Sequence, residues 1–258
     1  PFSFGVETKR GCAFKCAYCS YFLLHGHTIR RKKPERVIEE ITELKRHFGI
    51  TRISFLDSVF NVPLDHAMNI LKLLKKELPS VNWIGYVSER ELTDEFVQLS
   101  IETGLRVFVC SADAYTNSCL ELMGKGITVK DIDKAVSVVK RHPPAEIGFN
   151  FFLNGPGYTY RTLGALLWFL IRTKIRMKRR FKILRITYGY IRLEPGTPRE
   201  QMAIQEKVIS ASTNLLPGKA GEYGKCFYLN RNLKLFNSIM IPVNSFIRRF
   251  KPVGLSMH

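Results

Sequence analysis

The chain has 258 residues, 45% of them hydrophobic, which is enough to bury a core and too apolar for a disordered chain. Its charge is lopsided, 40 Lys and Arg against 22 Asp and Glu for a formal +18; this points to an anionic partner (nucleic acid, a phosphorylated substrate, an anionic membrane surface) or simply to a solvated basic face. Six cysteines are too sparse for a disulfide scaffold and predict a reducing cytoplasm, no secretory signal opens the chain, and the longest apolar run, Leu163–Ile171, falls well short of the roughly 20 residues that span a bilayer.

The chain opens at Pro1 without an initiator Met, as a fragment or a processed chain would, and runs at once into a strand over Phe2–Thr8. A loop, Lys9–Ser20, follows. Pro34–Phe48 reads as a helix, with Val37, Ile38, Ile41, Leu44 and Phe48 on one face, Pro34 opening it and Gly49 closing it. Thr51–Leu56 is a strand, Leu64–Leu78 a helix, Asn82–Val87 a strand, Thr93–Thr103 a helix and Leu105–Cys110 a strand. A short helix, Ser118–Met123, precedes a longer one over Val129–Arg141. Strand Glu146–Leu153, helix Thr159–Thr173, strand Lys182–Ile191 and helix Pro198–Lys207 complete the series. Six βα units in a row predict an α/β fold with parallel strands, open as a partial (β/α)6 barrel, with chemistry on the loops after the strand C-termini. Residues 1–210 are assigned to this barrel, and residues 211–258, Gly-rich, aromatic and basic, to an irregular C-terminal extension.

The loop after the first strand carries Gly11-Cys12-Ala13-Phe14-Lys15-Cys16-Ala17-Tyr18-Cys19. Three thiolates this close can wrap one metal centre. Iron–sulfur clusters are normally held by four cysteines, so three on a four-iron cluster leave one iron with an open position for cofactor or substrate. Lys9, Arg10 and Lys15 are expected to favour the thiolates. Cys12, Cys16 and Cys19 with His25 or His27 also fit a closed Cys3His zinc site, which leaves open a non-enzymatic protein that binds nucleic acid.

Cys-x3-Cys-x2-Cys, with an aromatic before the last Cys and placed after the first strand of a βα array, resembles the radical S-adenosylmethionine superfamily over roughly residues 3–200. The resemblance implies a 4Fe–4S cluster on Cys12, Cys16 and Cys19. It also implies S-adenosylmethionine on the open iron, cleaved to a 5′-deoxyadenosyl radical that abstracts hydrogen from a substrate, with an electron donor such as flavodoxin or ferredoxin. Tyr18 matches the aromatic position near the adenine. The run Phe55-Leu56-Asp57-Ser58-Val59-Phe60-Asn61 lacks the family's paired glycines and is similar to the cobalamin-associated branch, which makes Asp57, with Ser58, a candidate for the methionine ammonium. Asp57 or Asn61 is equally suited to capping the turn.

After the third strand, Ser88-Glu89-Arg90 resembles the branch's Ser/Arg position; Ser88 and Arg90 are candidates at the barrel mouth, Arg90 otherwise being a surface arginine. Asp113, in Ser111-Ala112-Asp113-Ala114-Tyr115, falls where the family has a ribose-contacting acid, and Lys125, in Leu-x-x-Met-Gly-Lys-Gly, matches a residue suited to the cofactor carboxylate. Asn154-Gly155-Pro156-Gly157-Tyr158-Thr159 and Arg192-Leu193-Glu194-Pro195-Gly196-Thr197-Pro198 resemble the turns after strands five and six, which places Asn154 and Arg192 near the cofactor, or reduces both to turn chemistry. Members of this branch carry an N-terminal cobalamin-binding domain, so cobalamin is expected only if such a domain precedes Pro1. Methyl transfer or ring remodelling of a small molecule or lipid is the implied reaction, with radical modification of tRNA as the alternative prompted by the charge.

Arg172, Lys174, Arg176, Lys178, Arg179, Arg180 and Lys182 follow the Leu163–Ile171 run, and Arg248, Arg249 and Lys251 flank Phe246 and Phe250. An apolar helix followed by basic residues is suited to an anionic membrane or to RNA phosphates, or is a core helix followed by a solvated loop.

Overall fold

The computed structural model describes residues 3–187, 191–216 and 226–240. Its strands are β1 (Phe4–Val6), β2 (Lys9–Arg10), β3 (Arg30–Arg31), β4 (Arg52–Phe55), β5 (Asn82–Ile84), β6 (Val107–Asp113), β7 (Glu146–Phe152), β8 (Phe181–Thr187), β9 (Ile191–Arg192) and β10 (Phe227–Tyr228). Two parallel sheets, β1-β4-β5 and β6-β7-β8, are joined by one parallel bridge between Tyr86 and Val109. Among the described residues β8 and β1 do not pair, so the six parallel strands form a partial barrel. Parallel strands need crossovers, and helices supply them. These are α2 (Pro34–Phe48), α3 (Leu64–Glu77), α4 (Asp94–Glu102), α6 (Val129–Arg141) and α7 (Tyr160–Met177), with α1 (Tyr21–His25), α5 (Asn117–Leu122) and α8 (Pro198–Gln205) in the loops.

The helices form where the sequence pattern places them. In α2, Val37, Ile38 and Ile41 are buried, and Gly49 ends the helix at φ +63°, a conformation that costs glycine no steric clash. Thr128 and Asp131 cap α6 reciprocally, and Thr159 and Thr162 do the same for α7. Each such cap contributes about 1 kcal/mol. The core has two aromatic centres. Phe55, Phe60 and Trp83 lie under the first sheet, Phe55 and Phe60 stacked at 4.4 Å. Phe149, Phe151, Phe169 and Phe181 lie between the second sheet and α7.

Several boundaries differ from the sequence reading. Lys9–Arg10 is not loop but a strand paired antiparallel with Arg30–Arg31, which clips the base of the cysteine loop. Helix α7 runs four residues past Thr173, because Thr173 and Met177 continue its buried stripe. The sixth barrel strand covers Phe181–Thr187 of the described residues. Ile191–Arg192 leaves the barrel and pairs antiparallel with Phe227–Tyr228, and residues 234–240 are helical, so the described part of the extension has secondary structure of its own. Pro1, Phe2, residues 188–190 and the basic cluster Arg248, Arg249 and Lys251 lie outside the described residues.

Candidate functional site

The cysteine loop packs on the C-terminal rim through its backbone. Ala17 N–H donates to Met123 O at 2.9 Å, and Arg199 N–H donates to Ala17 O at 2.8 Å. Two glycines allow this close approach. At Gly11 (φ +92°) a Cβ would lie 2.2 Å from Thr28 O, and at Gly124 (φ +63°) it would lie 2.3 Å from Lys15 O. No side chain fits either position without moving the loop.

Cys12, Cys16 and Cys19 then line one cleft of about 210 Å³, and none of the three is in a disulfide. Burial pushes the Cys16 thiol up to about 11, against the opposing pull of Lys125. At Cys16 the expected activation by Lys9, Arg10 and Lys15 does not prevail. Lys9 is buried in an ion pair with Asp57, Arg10 pairs with Glu7, and the cation facing Cys16 is Lys125, whose pull burial outweighs. Coordination to a cation is what would stabilise a thiolate in such a place.

Beside Cys16, Tyr18 and Lys125 share one acid. Asp113 Oδ2 accepts from the Tyr18 hydroxyl at 2.5 Å and from Lys125 Nζ at 2.7 Å. Asp113 is aimed there by a break in the β6–β7 register and by a left-handed backbone, φ +64°, which Asp tolerates better than most residues. Tyr158 donates to its carbonyl at 3.0 Å. Burial is the largest single influence on Lys125 and lowers its pKa, but Asp113, Tyr18, Cys16 and Glu89 together outweigh it and hold the amine well above its ordinary value. Burial, with Asp113 beside it, raises the Tyr18 hydroxyl well above its ordinary value, so the phenol stays neutral.

Of the other candidates, Ser58 and Ser88 line the cleft, and the Ser88 hydroxyl is buried without a partner. Asp113 stands behind Lys125 rather than in the lining. Four expected cofactor contacts are placed elsewhere. Asp57 is buried, with Oδ1 accepting from Thr8 N–H at 2.8 Å and Oδ2 from Lys9 Nζ at 2.8 Å, so its carboxylate ties β4 to the β1–β2 corner. Arg90 is exposed and donates to Gly126 O. Asn154 is buried in a clasp, donating to Asn237 Oδ1 at 2.7 Å and accepting from Asn230 N–H at 2.9 Å. Arg192 pairs with Glu194 and donates to Leu215 O.

Glu89 is the site residue that sequence reasoning passed over. It is buried, it lines the cleft, and its Oε1 has no hydrogen-bond partner. Burial raises its carboxyl pKa to about 7, with Lys125 pulling the other way. Ser111, Phe14, Phe22 and Tyr86 complete a largely aromatic wall.

The two metal readings differ in the fourth ligand. Among the described residues, no three or more His, Cys, Asp and Glu side chains gather as one metal ion requires. His25 packs tilted against Tyr21 at 4.4 Å and His27 stacks on Phe22 at 5.0 Å, and neither lines the cleft. The donor set, three thiols lining one cleft with neither His25 nor His27 in that lining, fits a cluster with an open iron better than a closed Cys3His zinc site.

A family profile described as the Radical SAM superfamily matches residues 6–170. An uncharacterized methyltransferase of Pyrococcus horikoshii is 30% identical over 164 residues, 64% of this chain and 36% of that protein. The cytidylyl-2-hydroxyethylphosphonate methyltransferase of Streptomyces wedmorensis is 28% identical over 100 residues, 38% of this chain and 18% of that protein. In fold, the chain matches the radical S-adenosylmethionine methyltransferase TsrM of Kitasatospora setae, solved with tryptophan and a cofactor analogue. The TM-score is 0.73 and the identity 19%, over 96% of this chain and 52% of that one. It also matches the cobalamin-dependent S-adenosylmethionine radical enzyme OxsB, with a TM-score of 0.66 and 15% identity over 95% of this chain and 41% of that one. The aligned region is thus 36% of the length of the Pyrococcus relative and about half of the solved chains.

Proposed function

This chain belongs to the radical SAM superfamily, and on that premise we propose that it is the radical-generating part of a methyltransferase: Cys12, Cys16 and Cys19 hold a 4Fe–4S cluster, and the cleft beside them takes S-adenosylmethionine. The observation that carries this reading is the convergence of three free thiols on one aromatic cleft at the strand C-termini of the family's fold. When bound, the cluster supplies the electron, received from a flavodoxin or ferredoxin, that cleaves S-adenosylmethionine to the 5′-deoxyadenosyl radical.

The chain's own residues bind, orient and exclude water. Lys125, kept cationic by Asp113, meets a carboxylate. Glu89, the acceptor without an internal donor, receives an ammonium or hydroxyl. The Tyr18 hydroxyl is committed to Asp113, so this residue offers its ring to the adenine. Phe14, Phe22, Tyr86 and Val87 keep water from the cleft. A methyl acceptor among small molecules or lipids is favoured by relatives named for methyl transfer to a cytidylyl phosphonate and to a hopanoid. The charge is then no argument for tRNA as substrate. Residues 1–210 are the barrel in this reading and 211–258 the extension, of which Asn230 and Asn237 clasp Asn154, and no residue of this chain is assigned to cobalamin.

The test is anaerobic reconstitution followed by iron analysis and an assay for 5′-deoxyadenosine. Wild type is expected to hold about four irons per chain and to release 5′-deoxyadenosine with reductant. Cys16→Ala is expected to lose the iron and the product together. A variant that still cleaves the cofactor, or a wild type that holds about one zinc instead, would overturn the reading.

A further inference from the structure

Helix α7 is apolar on two opposite faces. One face, with Leu166, Phe169, Thr173 and Met177, is buried against the second sheet. On the other, Leu167 (58% exposed), Trp168 (64%), Ile171 (45%) and Ile175 (70%) stand in solvent. At about 100° per residue these four fall within an arc of about 100°, pointing away from the buried stripe. The 18-residue helix contains no Asp or Glu. By the same geometry Arg161 borders the exposed stripe on one side and Lys174 on the other, with Arg176 further round toward the buried stripe, all three exposed. Lys178 and Arg179 follow, also exposed, whereas Arg172 is held by Asp133.

A core helix followed by a solvated loop needs only the first stripe. Phosphates of RNA would engage the cations and leave the Leu, Trp and Ile side chains in water. An anionic bilayer uses both, because apolar side chains enter the acyl boundary, an aromatic sits at headgroup level and long basic side chains reach the phosphates. We propose that the outward face of α7 docks on an anionic membrane surface, with Leu167, Trp168, Ile171 and Ile175 inserted and Arg161, Lys174, Arg176, Lys178 and Arg179 on the headgroups. The helix lies on the membrane and does not cross it, since none of the described helices is long and apolar enough to span. The proposal stands independently of the cluster.

Flotation of the purified full chain with phosphatidylcholine vesicles, and with vesicles containing phosphatidylglycerol, tests it. The protein is expected to float only with the anionic vesicles and to be released by high salt. Its tryptophan emission should shift to the blue, because Trp168 is exposed and Trp83 is already in the core. Trp168→Phe should lose the shift and keep the flotation. The double substitution Ile171→Glu, Ile175→Glu should weaken vesicle binding at least about tenfold at unchanged melting temperature. Three results would overturn the proposal. They are failure to float with anionic vesicles (with or without retention on RNA), flotation that survives the double substitution in a folded protein, and a doubled mass in light scattering that the same substitutions halve, which would give the stripe to a second copy.

Discussion

Glu89 is where the chemistry of a single residue decides most. Its folded pKa of about 7 lies above its ordinary 4.5, so the folded state keeps a proton that the unfolded state has lost between those pH values. Stability is therefore full below about pH 4.5 and falls as pH rises to about 7, by ~3 kcal/mol at most. Glu89→Gln removes that loss. In the apoprotein the variant should become more stable than wild type as pH passes from acid to neutral, read by denaturant titration at several pH values, while its affinity for S-adenosylmethionine falls. A difference that is flat with pH would mean that the carboxyl has a donor after all. Gly124→Ala tests the loop. Its Cβ would meet Lys15 O, so iron content should fall several-fold while far-UV circular dichroism is unchanged. The cysteine triplet, Tyr18, Ser58, Ser88 and Lys125 were legible as cleft residues because motif order fixes them to strand ends. Arg90 came from the resemblance, and Glu89 was not legible because residues 89–91 form a 3-10 turn, where the strand's alternation stops and sequence cannot say which side chain turns inward.

Among the elements, helices and strands read well, since each is set by a local period of apolar residues. The contacts between elements did not. Asn154 looked like a turn residue or a cofactor contact, and its partners lie 76 and 83 positions away. Asn230 completes this clasp by donating to Gly155 O at 2.7 Å and Tyr158 O at 2.9 Å. Asn230→Ala leaves those buried groups unpaired and should cost about 2–4 kcal/mol. Denaturant titration checks the loss, and limited proteolysis should cut the extension after Ser210 faster than in wild type. Helix α7 shows the same limit: its apolar run was legible, whereas the division of that run between a buried and an exposed face was not.

For the molecule as a whole, the six βα units predicted an open parallel barrel, and the structure has one. Its two half-sheets meet at a single bridge, where Val87 N–H donates to Val109 O at 2.9 Å. Within each half-sheet the ladders are continuous or nearly so. Local opening follows the weakest pairing, so in hydrogen exchange the Val87 amide should be less protected than the amides of Phe149 and Phe151. Equal protection would mean that side chains, rather than the ladder, hold the seam.

Sequence by itself determined the alternation of strands and helices, the three thiols at the first loop and the family, because each rests on local periods and short spacings. Only the tertiary structure decided that Asp57 anchors a corner, that Glu89 rather than Arg90 faces the cleft and that α7 keeps a second apolar face in water. Those outcomes depend on which distant groups meet a side chain, and burial, not chain position, sets whether a charge is free to act.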